Sequence, residues 1–378
     1  MNGGPLRRLQ RRVGLPPGPV GFLCLGLAIA ALTWIPLLVL TLAANTLVTG
    51  ATIPFAQSLS THVRLLVTLP LFFLAEVTFD RRIQQVLHSM VASHLVPGKQ
   101  VPLLGALIRR VSWWLDSWIL EAALVVLSLF LTWETVRPDF LEGTSSWRIA
   151  SDGHVSLADW WYSRLSLPVF HFLSLRLIVR LLIWVRLLLR MVRLDLQLLP
   201  THPDLSGGLG GLGAAHMALA PLGFGLSSII AATQAEQIRF AGADIRGAVM
   251  PLAVAILGGT LLLVVPLVLF IPKLLETKQK GLFEYGQLGG IYTRAFDLKW
   301  LRSATPPTEQ LLGSADVQSL ADLANAYGVI RQMRFVPIAP SQALYILVVA
   351  ALPALPLILF VVPLDELIIR SVRTLLSV

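Results

Sequence analysis

Seven stretches stay apolar for the roughly 20 residues that a helix needs to cross a bilayer. They cover residues 20–42, 63–79, 113–135, 160–182, 213–234, 248–272 and 343–363. The second is short, and Arg64 and Glu76 stand near its ends, where long side chains reach the interface. The fourth belongs to a longer helical pattern reaching about Leu199. Between the spans, Ile83, Val86, Leu87, Met90 and Val91 recur at helical spacing among Arg81, Arg82, Gln84, Gln85 and His88. That pattern predicts a helix lying on the inner membrane surface, ended by Pro97-Gly98.

The longest polar segment is 273–342. In it Leu275, Leu282, Gly289 and Phe296 recur every seven residues, joined by Tyr285 and Tyr292. The sixth span is therefore expected to continue as a helix with one seam toward a partner. Thr305-Pro306-Pro307-Thr308 breaks it. Ser314 is a suitable N-cap and Asp316 falls in the first turn, where the helix dipole favours negative charge. Val317, Leu320, Leu323, Ala324, Tyr327 and Ile330 then give a second helix its apolar face. The expected fold is all-α: a polytopic membrane protein with seven transmembrane helices and a cytoplasmic helical hairpin. Its parts are a basic N-terminus (1–19), a six-span bundle (20–272), the hairpin (273–342), and a last span with an amphipathic tail (343–378).

Composition agrees. Hydrophobic residues make up 55% and charged residues 13% of 378, against about 25% charged in a soluble domain. Mean hydropathy is +0.74. These values exclude a soluble, disordered or collagen-like chain, and the lone Cys24 excludes a disulfide scaffold. The first apolar run exceeds the ~7–15 residues of a signal-peptide core, so it reads as an uncleaved anchor. The net charge is +9. With the N-terminus inside, 20 of the 30 Lys and Arg fall in inner segments and 6 in outer ones. The positive-inside bias thus predicts a cytoplasmic N-terminus. An odd number of spans puts the C-terminus outside. Pro353, Pro356 and Pro363 interrupt the last segment, however, and a re-entrant form would return the C-terminus inside.

Ionisable groups within spans mark candidate functional positions. Here they are Glu76, Asp116, Glu121, His171, Arg176 and Arg180. Helical rise places Glu121 about 12 Å inward from Trp113, and Arg176 and Arg180 about 24–30 Å below the boundary aromatic Trp160. Glu76 or Glu121 is expected to pair with Arg176 or Arg180. The pair reads either as a structural tie between helices or as part of an ion or proton pathway. Arg186, Arg190 and Arg193 continue one side of the same helix. Their spacing does not suit a voltage sensor and fits anionic lipid headgroups, at about 1 kcal/mol per charge.

A second candidate is the loop Pro200-Thr201-His202-Pro203-Asp204-Leu205-Ser206-Gly207-Gly208-Leu209-Gly210-Gly211-Leu212-Gly213. Gly208, Gly210 and Gly213 match G-x-G-x-x-G, but no strand precedes them, so dinucleotide binding is rejected. Glycine amides before a helix can hold an anion. A tight turn, fixed by the prolines and capped by Asp204, is the competing reading. His202 and Asp204, with His216 as the only third candidate nearby, are too few for a zinc site. Small residues in the fifth and sixth spans (Gly223, Gly225, Ser227, Ser228, Gly258, Gly259) suit close helix packing. No catalytic constellation, metal, cofactor or nucleic-acid site is expected.

Three stretches carry a resemblance. They are Leu157-Ala158-Asp159-Trp160-Trp161-Tyr162, then Leu194-Asp195-Leu196 leading into Pro200-Thr201-His202-Pro203-Asp204 with Gly207-Gly208-Leu209-Gly210, and Leu311-Leu312-Gly313-Ser314-Ala315-Asp316-Val317-Gln318-Ser319-Leu320-Ala321-Asp322-Leu323. In these the chain resembles an uncharacterised family of bacterial multi-pass inner-membrane proteins. The resemblance implies a bacterial inner-membrane setting and no particular chemistry. The family pattern has alanine at the position of Ser206 and a larger residue at that of Gly211, which implies a looser loop here. The expected function is a channel or transporter for an ion or small anion, with a cytoplasm-facing polar site. The alternative is a membrane scaffold or regulatory subunit that docks a protein partner, or a second copy, through 273–335. A membrane enzyme ranks third.

Overall fold

The computed structural model describes residues 10, 14–16, 18–135, 146–149, 154–303, 310 and 314–358. Most of the basic N-terminus, the Pro306-Pro307 break, Leu311 to Gly313 and the amphipathic tail lie outside the described residues. The described chain is helical with no strand; its only β pairing is isolated bridges at Ile53–Ser146, Ser146–Ile149 and Ile149–Val155.

The helices are α1 (Pro19–Ala43), α2 (Leu59–Ala92), α3 (Val101–Leu115), α4 (Trp118–Thr135), α5 (157–191), α6 (Gly210–Ala241), α7 (Ile245–Trp300), α8 (Ala315–Gln332) and α9 (Pro340–Leu357). Five of them, α1, α2, α6, α7 and α9, are long and apolar enough to cross a membrane. A sixth span arises if α3 and α4, bent by 45°, count as one. The bend falls at Asp116-Ser117, where Ser117 Oγ faces the Leu120 N–H at 3.5 Å and restarts the helix. The 160–182 stretch lies on α5, which is not among the five.

The expected surface helix over 83–91 is instead the straight continuation of α2, which is 34 residues long. Its apolar face meets protein: Ile83, Val86, Leu87 and Met90 are buried against α5, α6 and residues 263–274. Periodicity registers one covered face without saying whether lipid or protein covers it.

The sixth apolar stretch continues without interruption into the helix expected after it. α7 runs 56 residues, about 84 Å at helical rise, against a hydrocarbon core of about 30 Å. α8 folds back on it. Leu282, Tyr285, Gly289, Tyr292 and Phe296 are half-buried along the seam, while Leu275 is exposed. A Cβ on Gly281 would lie 3.3 Å from Ile330 and 2.6 Å from Pro200. Only glycine lets α7 approach both. At the far end Ser314 caps α8, and Asp316 accepts from Lys299 (2.7 Å) and Trp300 (3.0 Å). Those two donors hold the Asp316 carboxyl below its ordinary pKa.

The packing forms two main hydrophobic clusters in series. The upper one joins α1, the first half of α2 and the first half of α5, with Phe72, Phe73, Leu173 and Leu177. The lower one joins the second halves of α2 and α5 to α6 and α7, with Phe79, Ile83, Leu181 and Trp184. Gly225 lets α6 reach Thr68, whose Oγ1 donates to the Gly225 carbonyl at 3.0 Å. Gly258 and Gly259 were expected to pack in the same way, but they meet no neighbour among the described residues.

Candidate functional site: a charged layer beneath an open cavity

The predicted charges meet where the two clusters abut. α2 and α5 run in the same direction, and each carries charges four residues apart, so matching rungs face each other. Arg176 Nη1 donates to Glu76 Oε2 at 2.5 Å and its Nε lies 3.4 Å from Glu121 Oε1 on α4. Arg180 reaches the other oxygen of Glu76 and grips both oxygens of Asp80, at 3.1 and 2.8 Å. Glu76, Asp80 and Arg176 are buried. Three carboxylates and two guanidiniums thus pair with one another and leave a surplus of one negative charge. A void beside them, lined by Glu76, Phe79 and Arg180, is about 10 Å³, the size of about one water probe.

The open volume lies elsewhere. At the end of the bundle where α1 finishes and α2 begins, a cavity of about 520 Å³ is bounded by α2, α5, α6 and the segments 52–61 and 146–148. Arg64 of α2 donates from Nη1 to the Tyr162 hydroxyl of α5 and lies over the Phe170 ring, 5.5 Å from its centre. His171 is held through Nδ1 by Thr132 Oγ1 at 2.9 Å. Across the cavity, Glu236 of α6 accepts from the Ser60 N–H and from Ser60 Oγ, both at 2.7 Å. Arg148 is already spoken for by Asp159 at 2.5 Å. Trp147, stacked edge-on to Phe55 and Tyr162, closes one wall. No carboxylate among the described residues is within ion-pairing range of Arg64.

Two prolines shape this cavity. α2 is π-helical over Val63–Thr68 and α5 over Tyr162–Ser166. Each wide turn runs into a Leu-Pro step, Leu69-Pro70 or Leu167-Pro168. Proline lacks an N–H, and its ring clashes with the carbonyl four residues earlier, so the preceding turn opens. Arg64 and Tyr162 each sit six residues before their proline and touch each other. Single π turns are often found at functional sites.

The 200–213 loop holds an anion, and that anion is its own Asp204. The carboxylate accepts from the N–H groups of Ser206 (2.8 Å), Gly208 (3.1 Å) and Gly210 (2.8 Å). Gly207 and Gly208 have φ of 64° and 97°, which glycine adopts without strain. Partial burial raises the Asp204 carboxyl pKa, but the three amides and His202 outweigh it and leave it below 3.8. His202 Nδ1 is 2.8 Å from Asp204 Oδ1 and 3.2 Å from the Asp204 N–H. Arg334 clamps the loop by donating to the Asp204 carbonyl. Gly213 serves packing: a Cβ there would be 2.5 Å from Gln342 Oε1 and 2.7 Å from the Pro337 carbonyl. His216 is buried away from the loop, with Trp184 Nε1 donating to its Nε2 at 2.9 Å and its Nδ1 on the Leu263 carbonyl. Among the described residues no three potential ligands gather for a metal.

No protein family, curated protein or solved structure matches this chain. Its function must therefore be argued from the geometry alone.

Of the candidate residues, the structure joins Glu76, Glu121, Arg176 and Arg180 in one layer and places His171 in the cavity instead. Arg186, Arg190 and Arg193 are exposed toward the lower end of α5. Sequence reasoning missed Asp80, Arg64, Tyr162 and Glu236. Asp80 stands four residues after Glu76, the same step as Arg176 to Arg180, and that match was readable. The equal offset of Arg64 and Tyr162 from a proline was readable too. Glu236 gave no signal, because nothing in the chain links it to Ser60.

Proposed function

We propose that this chain is a seven-crossing inner-membrane carrier that takes up a small anionic solute through the Arg64 cavity. α5 supplies the seventh crossing, because the charge of Arg176 and Arg180 is balanced inside the bundle. The basic residues favour a cytoplasmic N-terminus, which turns the cavity to the outer side and the 273–335 hairpin to the cytoplasm. The observation that carries the reading is a guanidinium that forms no ion pair with a carboxylate among the described residues and faces an open cavity. Below it, the packed charge layer has no room for a solute. A site open at one end and closed beneath is what a carrier presents in one of its two states.

The test uses purified protein in liposomes and 3-phenylpropionate as probe, a carboxylate with an apolar body. Uptake that Arg64→Gln reduces at least tenfold, with the protein still folded, is the expected result. Uptake equal in the variant, or none above empty liposomes, would refute the proposal.

Scaffolding is favoured by a different observation. Phe283, Leu288, Ile291 and Leu298 of α7 are exposed on the side away from α8. An apolar stripe beyond the bilayer suits a protein partner or a second copy. Loss of a co-purifying chain on substituting Phe283 and Ile291 by Ser would support that reading over transport.

A further inference from the structure

We infer that the cavity prefers a zwitterion, an anionic group and a primary ammonium a few bonds apart, over a simple anion. This rests on the Arg64 reading above and adds a second pole to it.

The cavity has two opposite charges that do not meet. Arg64 and Glu236 both line it, they interact electrostatically, and they form no ion pair. Each is fixed by other groups. Arg64 is held by Tyr162 and by the Phe170 face. Glu236 is held by Ser60. Ser60 and Arg64 stand four residues apart on α2, about 6 Å along its axis at helical rise. The carboxylate is thus anchored at a residue about one turn before Arg64. The two groups interact without forming an ion pair, an arrangement that suits a bridging group with one charge of each sign.

Charge balance points the same way. Arg148 is cancelled by Asp159, so among the described residues Arg64 and Glu236 are the charges left facing the cavity. A simple anion on Arg64 would sit near the Glu236 carboxylate and be repelled by it. A zwitterion satisfies both ends. A carboxylate offers about four acceptor positions; Ser60 occupies two of Glu236's and the Ser58 side chain a third, which leaves one for an ammonium. Trp147, Leu167, Phe170, Ile229 and Phe240 give the cavity an apolar wall that would take an uncharged side chain. The same chemistry occurs in free amino acids and in the headgroup of phosphatidylethanolamine.

The test compares three probes of one shape on the purified full-length protein: phenylalanine, 3-phenylpropionate and phenethylamine. Binding is read by calorimetry. Phenylalanine is expected to bind at least tenfold tighter than either single-charge probe. Glu236→Gln should erase its advantage over 3-phenylpropionate, and Arg64→Gln its advantage over phenethylamine. The probe comparison needs only the native protein, so it decides even if Glu236→Gln fails to fold. If 3-phenylpropionate binds as tightly as phenylalanine, the zwitterion is overturned while the anion reading stands. If no probe binds, both fall. Repeating the titration in nanodiscs of phosphatidylethanolamine and then of phosphatidylglycerol separates the sources: weaker phenylalanine binding in the first assigns the site to the lipid headgroup, and equal binding assigns it to the free solute.

Discussion

The charged layer makes an asymmetric prediction. It has three carboxylates and two guanidiniums, so the arginines are its scarce members. Replacing Arg176 by Met leaves Glu76 dependent on Arg180 alone and strips Glu121 of its guanidinium. Breaking a buried pair in this way costs about 3–5 kcal/mol. Replacing Glu76 by Gln removes one carboxylate, yet each arginine keeps another: Arg180 has Asp80 and Arg176 has Glu121. The loss is then closer to that of charge-assisted hydrogen bonds, about 1.5–3 kcal/mol. Arg176→Met combined with Glu121→Gln restores the original surplus of one negative charge and should recover part of the loss. The assay is thermal unfolding of the purified protein in one detergent, followed by the fraction remaining monodisperse on size exclusion. The expected order of midpoints is native, Glu76→Gln, the double variant, then Arg176→Met. A midpoint for Arg176→Met at or above that of Glu76→Gln would refute the reasoning, because the arginines would then not be limiting.

Four further outcomes follow from single contacts. Ser206 Oγ is buried with no hydrogen-bond partner, so Ser206→Ala should stabilise the fold by up to about 1 kcal/mol, read as a raised unfolding midpoint. Asp204→Ala should destabilise by about 1.5–3 kcal/mol, since it leaves the amides of Ser206, Gly208 and Gly210 without their acceptor. Because the folded Asp204 pKa is depressed, that contribution is fully present above pH 3.8 and fades as pH falls through the lower folded value; the gap between native and Asp204→Asn midpoints should be flat from pH 5 to 8 and narrow only below pH 4. Gly213→Leu should cost about 1–3 kcal/mol by forcing α6 from the Pro337 carbonyl, seen as lost monodispersity. Tyr162→Phe removes the hydrogen bond that aims Arg64 and should weaken 3-phenylpropionate binding severalfold while costing the fold no more than about 1.5 kcal/mol.

The parts of the fold legible in the sequence were those governed by local pattern. The apolar stretches became helices, the seven-residue recurrence from Leu282 to Phe296 became the α7–α8 seam, and Ser314 capped α8. The meeting of Glu76 and Glu121 with Arg176 and Arg180 followed from depth along the helices. What escaped depended on which surface covers a helix or on which loops converge. The face of Ile83 and Met90 reads alike against lipid and protein. The glycine amides of 206–210 read either as a turn capped by Asp204 or as an open anion site, and the folded backbone, which brings Asp204 onto them, decides for the turn. The cavity escaped altogether, because its polar members come from α2, α5 and α6, three helices distant in sequence.

The cavity and the charged layer share two helices, and this bears on how a carrier could work. Arg64 and the acids Glu76 and Asp80 are all on α2; Tyr162 and the bases Arg176 and Arg180 are all on α5. Any shift of α2 along α5 must therefore part Arg64 from Tyr162 and shear the rungs of the layer together. Such a shift by one helical turn would still set Arg180 against Glu76, because both helices repeat their charges every four residues. The layer thus has two registers in which most charges remain paired, while the cavity has only one in which Arg64 is aimed by Tyr162. The π turns before Pro70 and Pro168 are where the two helices can absorb that motion, since their hydrogen bonding is already loosened there. Replacing Pro70 and Pro168 by Ala closes the wide turns. On this reasoning the double variant should keep its unfolding midpoint or raise it, and lose uptake. Undiminished uptake by a folded Pro70→Ala/Pro168→Ala protein would remove the π turns from the mechanism.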